Sequence, residues 1–96
     1  MPKTILITGA SSGFGRMTAR ALAEAGHDVY ASMRDIAGRN RSARDAAATY
    51  ASEHAVDLRT VELDVSDQAS VDAAIGTVVQ DAGALDVLVT RSATPG

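Results

Sequence analysis

Three glycines, Gly9, Gly13 and Gly15, fall close together in "TGASSGFG" (Thr8–Gly15), with Ser11 and Ser12 between the first two. The chemistry open to such a run is anion binding by the backbone. A helix that starts here presents N–H groups with no intrahelical partner and about half a positive charge. A bulky anion reaches those groups only where side chains are missing. Gly9 permits a sharp turn off the preceding residues, Gly13 lets a diphosphate approach the backbone, and Gly15 lets the helix lie close to a sheet. Ser11 and Ser12 add hydroxyl donors, and Phe14 belongs to the same binding segment. Three glycines can also make a plain turn. What favours the anion site is context, since a β-branched run, "TILIT", precedes them and a helical pattern follows.

The other residues able to do chemistry do not converge. Lys3 is the one lysine and lies in the first strand pattern; His27 and His54 have no carboxylate or nucleophile at triad spacing. Tyr30 and Tyr50 are followed four residues later by Arg34 and His54, and both read as structural, on a strand and on a helix face. No catalytic residue and no metal-ligating set is expected among the 96 residues.

The elements that must position the glycine run follow from periodicity. Strands are expected at Lys3–Thr8, Asp28–Met33, Asp57–Asp64 and Ala84–Val89. Helices are expected at about Gly13–Ala25, Ser42–His54 and Ser66–Ala82. The first would bury Phe14, Met17, Ala21, Leu22 and Ala25, the second Ala43, Ala47, Tyr50 and Ala51, and the third Val71, Ile75, Val78, Val79 and Ala82. Gly26 and Gly83 suit the ends of the first and third helices, and Ser66 suits the start of the third. Alternation of apolar strands with helices predicts a doubly wound parallel α/β sheet, cut after about four strands and three helices.

Composition narrows the rest. A hydrophobic fraction of 46% and a charged fraction of 22% are those of an ordinary globular chain, with one domain at most in 96 residues. The net charge of −3 and a pI near 5.1 disfavour nucleic acid or an anionic membrane as partner. No apolar run approaches the ~20 residues of a membrane span, and "MPKTILIT" lacks a signal peptide's apolar core and cleavage site. Without cysteine the chain fits a reducing, cytoplasmic compartment.

The residues also resemble a known family. "TGASSGFG" is similar to the Thr-Gly-x-x-x-Gly-x-Gly pattern of the short-chain dehydrogenases/reductases, whose glycine spacing differs from that of other dinucleotide-binding folds. "LDV" (Leu63–Val65) looks like the family's adenine-contacting segment, and "GALDVLV" (Gly83–Val89) like its approach to an Asn-Asn-Ala-Gly motif. The resemblance covers Met1 to about Val89 and implies a Rossmann-like coenzyme-binding region over 1–89, with 90–96 an irregular tail. It implies nicotinamide dinucleotide binding, with Asp64 accepting from the adenine amino group and Val65 beside it.

Coenzyme choice is expected at the end of the second strand. A guanidinium there accepts a 2′-phosphate, whereas a carboxylate takes the ribose hydroxyl. Arg34 stands where NADP-preferring members of the family often carry a base, supported by Ser12, Arg39 and Arg41. Asp35 is the competing ribose acid, so NADP is the first expectation and NAD the second.

The family's Ser, Tyr and Lys, the last two as Tyr-x-x-x-Lys, are not found, and "TRSATPG" (Thr90–Gly96) stands where Asn-Asn-Ala-Gly would. The expectation is the coenzyme-binding half of an oxidoreductase, truncated or altered in reading frame, unable to turn over alone. The alternatives are a non-catalytic NADP-binding module and an α/β fragment without ligand. The fourth strand would be left as an apolar edge open to self-association.

Overall fold

The computed structural model describes residues 3–9, 13–34, 38–64 and 66–89, with the side chains of 13 and 14 outside that description. The element order is β1 (Thr4–Ile7), α1 (Gly13–Glu24), β2 (Asp28–Met33), α2 (Arg41–His54), β3 (Leu58–Glu62), α3 (Gln68–Ala82) and β4 (Val87–Val89). All pairings are parallel and the sheet order is β3-β2-β1-β4. Every expected element is present, and the predicted α/β class holds. Strands 1, 3 and 4 are shorter than their apolar runs, because side chains continue to pack beyond the last ladder bond: Leu63 is buried although β3 ends at Glu62.

Alternation along the strands builds two cores. Ile5, Ile7, Val29, Ala31, Met33 and Leu58 face α1 and α2, where Ala19, Ala23 and Ala47 meet them. Leu6, Tyr30 and Leu63 face the other way, against Ala74 and Val78 of α3. Central strands buried on both faces explain why β1 and β2 read as continuous apolar runs. Ser32, also fully buried, donates from its hydroxyl to the Ile7 carbonyl at 2.8 Å and so leaves no unpaired polar group there.

Three expectations about the helices are corrected. The buried row of α1 is Gly15, Ala19 and Ala23, with Leu22 beside it; Ala21 and Ala25 are exposed, and Met17 is 67% exposed. Small residues form the row that packs on the sheet, while the longer Met17 turns outward. On α3, Ala74 and Val78 are the buried pair, while Val79 is 40% exposed. The α3 cap is Asp67, not Ser66: its carboxylate accepts from the Ala69 amide at 3.1 Å. Gly83, at φ 91°, closes that helix as expected, its N–H donating to the Val79 carbonyl.

Beyond β4 the described sheet has no further strand. Leu88 is 45% exposed on that border, on the same side of the sheet as Leu6.

Candidate functional site

Of the residues singled out in the sequence, Gly9, Gly13, Arg34 and Asp64 lie at the carboxyl edge of the sheet. Gly9 follows β1, Arg34 follows β2, and Asp64 lies just past β3. α1 begins at the same edge with Gly13. Gly9 has φ 65°, in the left-handed region that an L side chain rarely adopts, and a Cβ built there would meet nothing within 4 Å. Glycine is therefore required for the handedness of the turn, and the space beside it is open. Gly15 is buried in the first turn of α1, as its proposed role in helix–sheet packing demands. β1 and β4 stay joined up to this edge, since the Thr8 amide donates to the Val89 carbonyl at 3.0 Å. In the order β3-β2-β1-β4 the chain reverses its direction of growth between β1 and β4. That reversal at the carboxyl edge is where open α/β sheets form their ligand crevice.

Arg34 is exposed, and its carbonyl accepts from the side-chain amide of Asn40, which draws the start of α2 toward the end of β2. Met33 pairs with Glu62, and the Leu63 amide donates to the Met33 carbonyl at 3.1 Å. Arg34 and Asp64 consequently both lie just past the last rung of the β2–β3 ladder, near enough for the Arg34 charge to act on the Asp64 carboxyl. Asp64 accepts twice on Oδ1, from the Ser66 amide at 3.0 Å and the Ser66 hydroxyl at 2.7 Å. These two bonds, the hydroxyl's first, hold its carboxyl below the usual range; partial burial opposes them and the Arg34 charge assists. The edge thus carries an exposed cation and an ionised acceptor.

Ser11, Ser12, Val65 and the competing Asp35 lie outside the described residues, as do the side chain of Phe14 and the tail from Thr90. Sequence reasoning missed the part of Ser66 as a partner of Asp64. The Asp-x-Ser spacing was its available signal, because a carboxylate commonly bonds the backbone two residues on.

A cleft of about 270 Å³ opens at the opposite, amino edge between Asp28, Tyr30, Asp57, Arg59 and Asp81. Its three carboxylates meet one cation, and the bond to neighbouring Asp57, ahead of burial, pushes the Asp28 carboxyl up. Arg59 binds Asp81 and approaches Asp57 to 3.8 Å, and the Tyr30 hydroxyl donates to Asp81. Among the described residues no group of three or more His, Cys, Asp or Glu is placed to hold a metal ion. Neither tyrosine reaches the carboxyl edge: Tyr30 is buried with its hydroxyl committed to Asp81, and Tyr50 stacks on His54 with Arg20 above its ring.

The sequence pattern described as short chain dehydrogenase matches residues 3–94. The chain belongs to the short-chain dehydrogenase family. Members of this family bind nicotinamide coenzymes. Among curated relatives, the chain is 36% identical over 91 residues to 3-ketodihydrosphingosine reductase of Bacteroides thetaiotaomicron, covering 95% of this chain and 28% of that protein. It is 38% identical over 92 residues to the 3-oxoacyl-acyl-carrier-protein reductase FabG of Staphylococcus aureus, covering 96% and 36%. Among solved structures, an actinorhodin polyketide ketoreductase variant with NADPH superposes with a TM-score of 0.82 at 29% identity, over 99% of this chain and 34% of that one. A short chain dehydrogenase from Mycobacterium smegmatis gives 0.81 at 34% identity, over 99% and 38%. The chain spans about a third of the length of the relatives it matches. It is an amino-terminal stretch of a short-chain dehydrogenase fold. No described helix is long and apolar enough to cross a membrane.

Proposed function

We propose that this chain is the coenzyme-binding region, residues 1–89, of an NAD(P)-dependent oxidoreductase, that it prefers NADP, and that alone it binds without turning over. The observation that carries the reading is the convergence of Gly9, the start of α1, Arg34 and Asp64 on one edge of the sheet. In this reading the backbone from Gly9 to Gly15, with Ser11, Ser12 and Phe14, holds the diphosphate. Arg34 takes the 2′-phosphate through its planar fork, and Asp64 with Val65 receives the adenine. The bound nicotinamide would supply hydride transfer; what these residues do is fix its distant half. Turnover by this chain is not expected, because Tyr30 and Tyr50 are engaged elsewhere and neither is followed by Lys at the fourth residue.

Titrating the purified chain with NADPH and with NADH, followed by coenzyme fluorescence and thermal shift, tests the reading. NADPH should bind at least tenfold more tightly than NADH, and carbonyl substrates should not be reduced. An absence of binding at millimolar NADPH overturns it, and steady turnover overturns the part that denies catalysis. We also place self-association at the outer border of β4, where Leu88 lies exposed. Light scattering should give a mass that rises with concentration, and a concentration-independent monomer would refute that assignment.

A further inference from the structure

Asp64 is held more firmly than a half-buried residue at a strand end needs to be. Its amide donates to the Ser70 hydroxyl at 2.9 Å, its carbonyl accepts from the Asp67 amide at 3.0 Å, and its Oδ1 accepts two bonds from Ser66. Ser70 and Asp67 belong to the start of α3, so the residue is tied to a rigid element at both ends of its backbone. A carboxylate oxygen offers about two lone-pair positions. With both on Oδ1 occupied by Ser66, an incoming N–H donor is left with Oδ2.

We propose that Ser66 is a positioning residue for coenzyme recognition: it saturates Oδ1 of Asp64 and thereby reserves Oδ2 as the single acceptor for the adenine amino group. The inference rests on the coenzyme reading above and deepens it, since neither that reading nor the match to the family assigns Ser66 a part. The hydroxyl matters beyond the amide. It fixes the carboxylate plane, so that less rotational freedom is lost when the base arrives. It also carries the ionised form, the stronger hydrogen-bond acceptor, further to the acid side. The charge of Arg34, past the end of β2, acts in the same direction and more weakly. Ser66 is exposed and lies outside α3, whose cap is Asp67, so replacing it leaves the helix start intact.

The test compares NADPH with its analogue bearing hypoxanthine, which presents a carbonyl where adenine presents an amine. The wild-type chain should prefer NADPH. Ser66→Ala should weaken NADPH about three- to tenfold and bring the ratio of the two affinities toward one. Ser66→Thr should restore both, with melting temperatures unchanged throughout. Without ligand, the carboxyl carbon of Asp64 followed by NMR should titrate at higher pH in Ser66→Ala than in wild type. If Asp64→Ala weakens NADPH while Ser66→Ala leaves the ratio and the titration of Asp64 unmoved, the proposal falls and the coenzyme reading stands. If Asp64→Ala leaves NADPH binding unchanged, or the wild-type chain binds no NADPH, the coenzyme reading is at fault and the proposal falls with it.

Discussion

Arg34→Glu should weaken NADPH binding by about a hundredfold while changing NADH binding no more than a few-fold. A guanidinium bonded to a phosphate contributes about 1.5–3 kcal/mol per charge-assisted bond, and reversing the charge adds repulsion from a group carrying close to two negative charges. NADH lacks that phosphate and has nothing to lose. The side chain is exposed, so the interaction is screened and the difference between the coenzymes should shrink as salt rises. A second effect has a predictable sign. Arg34 helps to hold the Asp64 carboxyl below its ordinary range, so its loss moves that carboxyl upward. Binding of adenine nucleotides should therefore begin to fail at a slightly higher pH on the acid side. Dissociation constants for both coenzymes at two salt concentrations decide the matter. Equal losses for NADH and NADPH, or none, would show that Arg34 does not read the 2′-phosphate and would return the choice to Asp35.

The largest loss of stability is expected from Leu6→Ala. Leu6 is 0% exposed in a central strand and packs on the α3 side with Val78, also 0% exposed. Truncating a buried leucine costs about 2–5 kcal/mol, the spread depending on how far the surroundings collapse. For a chain of 96 residues the whole margin is on the order of 5–14 kcal/mol. The melting temperature should accordingly fall by at least about 10 °C. Met17→Ala, at a side chain 67% exposed, serves as the control and should stay within about 0.5 kcal/mol. Thermal and urea unfolding followed by circular dichroism will separate the two. A Leu6→Ala chain within 1 kcal/mol of wild type would mean that the α3 layer is loosely attached.

The contrast between Leu6 and Met17 also shows what was readable in the sequence. Four apolar runs and three helical patterns gave the parallel α/β order because β1 and β2 are buried on both faces, which leaves an unmistakable composition. The glycine run was legible for a similar reason: Gly9 needs a left-handed backbone that other residues avoid. The face of α1 was not legible. Hydrophobic periodicity weights Met17 and Phe14 heavily and alanine lightly, whereas the sheet selects Gly15, Ala19 and Ala23 by size. At the start of α3, Ser66 and Asp67 are both able to cap. The choice turned on Asp64, a residue before the helix that recruits the serine and leaves the aspartate to the amides. Arg34 and Asp64 could be nominated separately from their strand ends, but that both strands end at the same edge depends on β2–β3 pairing, which no single-strand pattern contains.

That row of small residues under α1 has a mechanical meaning. It sets the clearance between the helix and the strands, and so the height at which the first amides of α1 stand relative to the end of β1. An added methyl group at Ala19 or Ala23 would act as a shim, tilting the whole rod and shifting its first turn. On the coenzyme reading proposed above, the dimensions of the binding edge are thus set from underneath, by residues that stand apart from it.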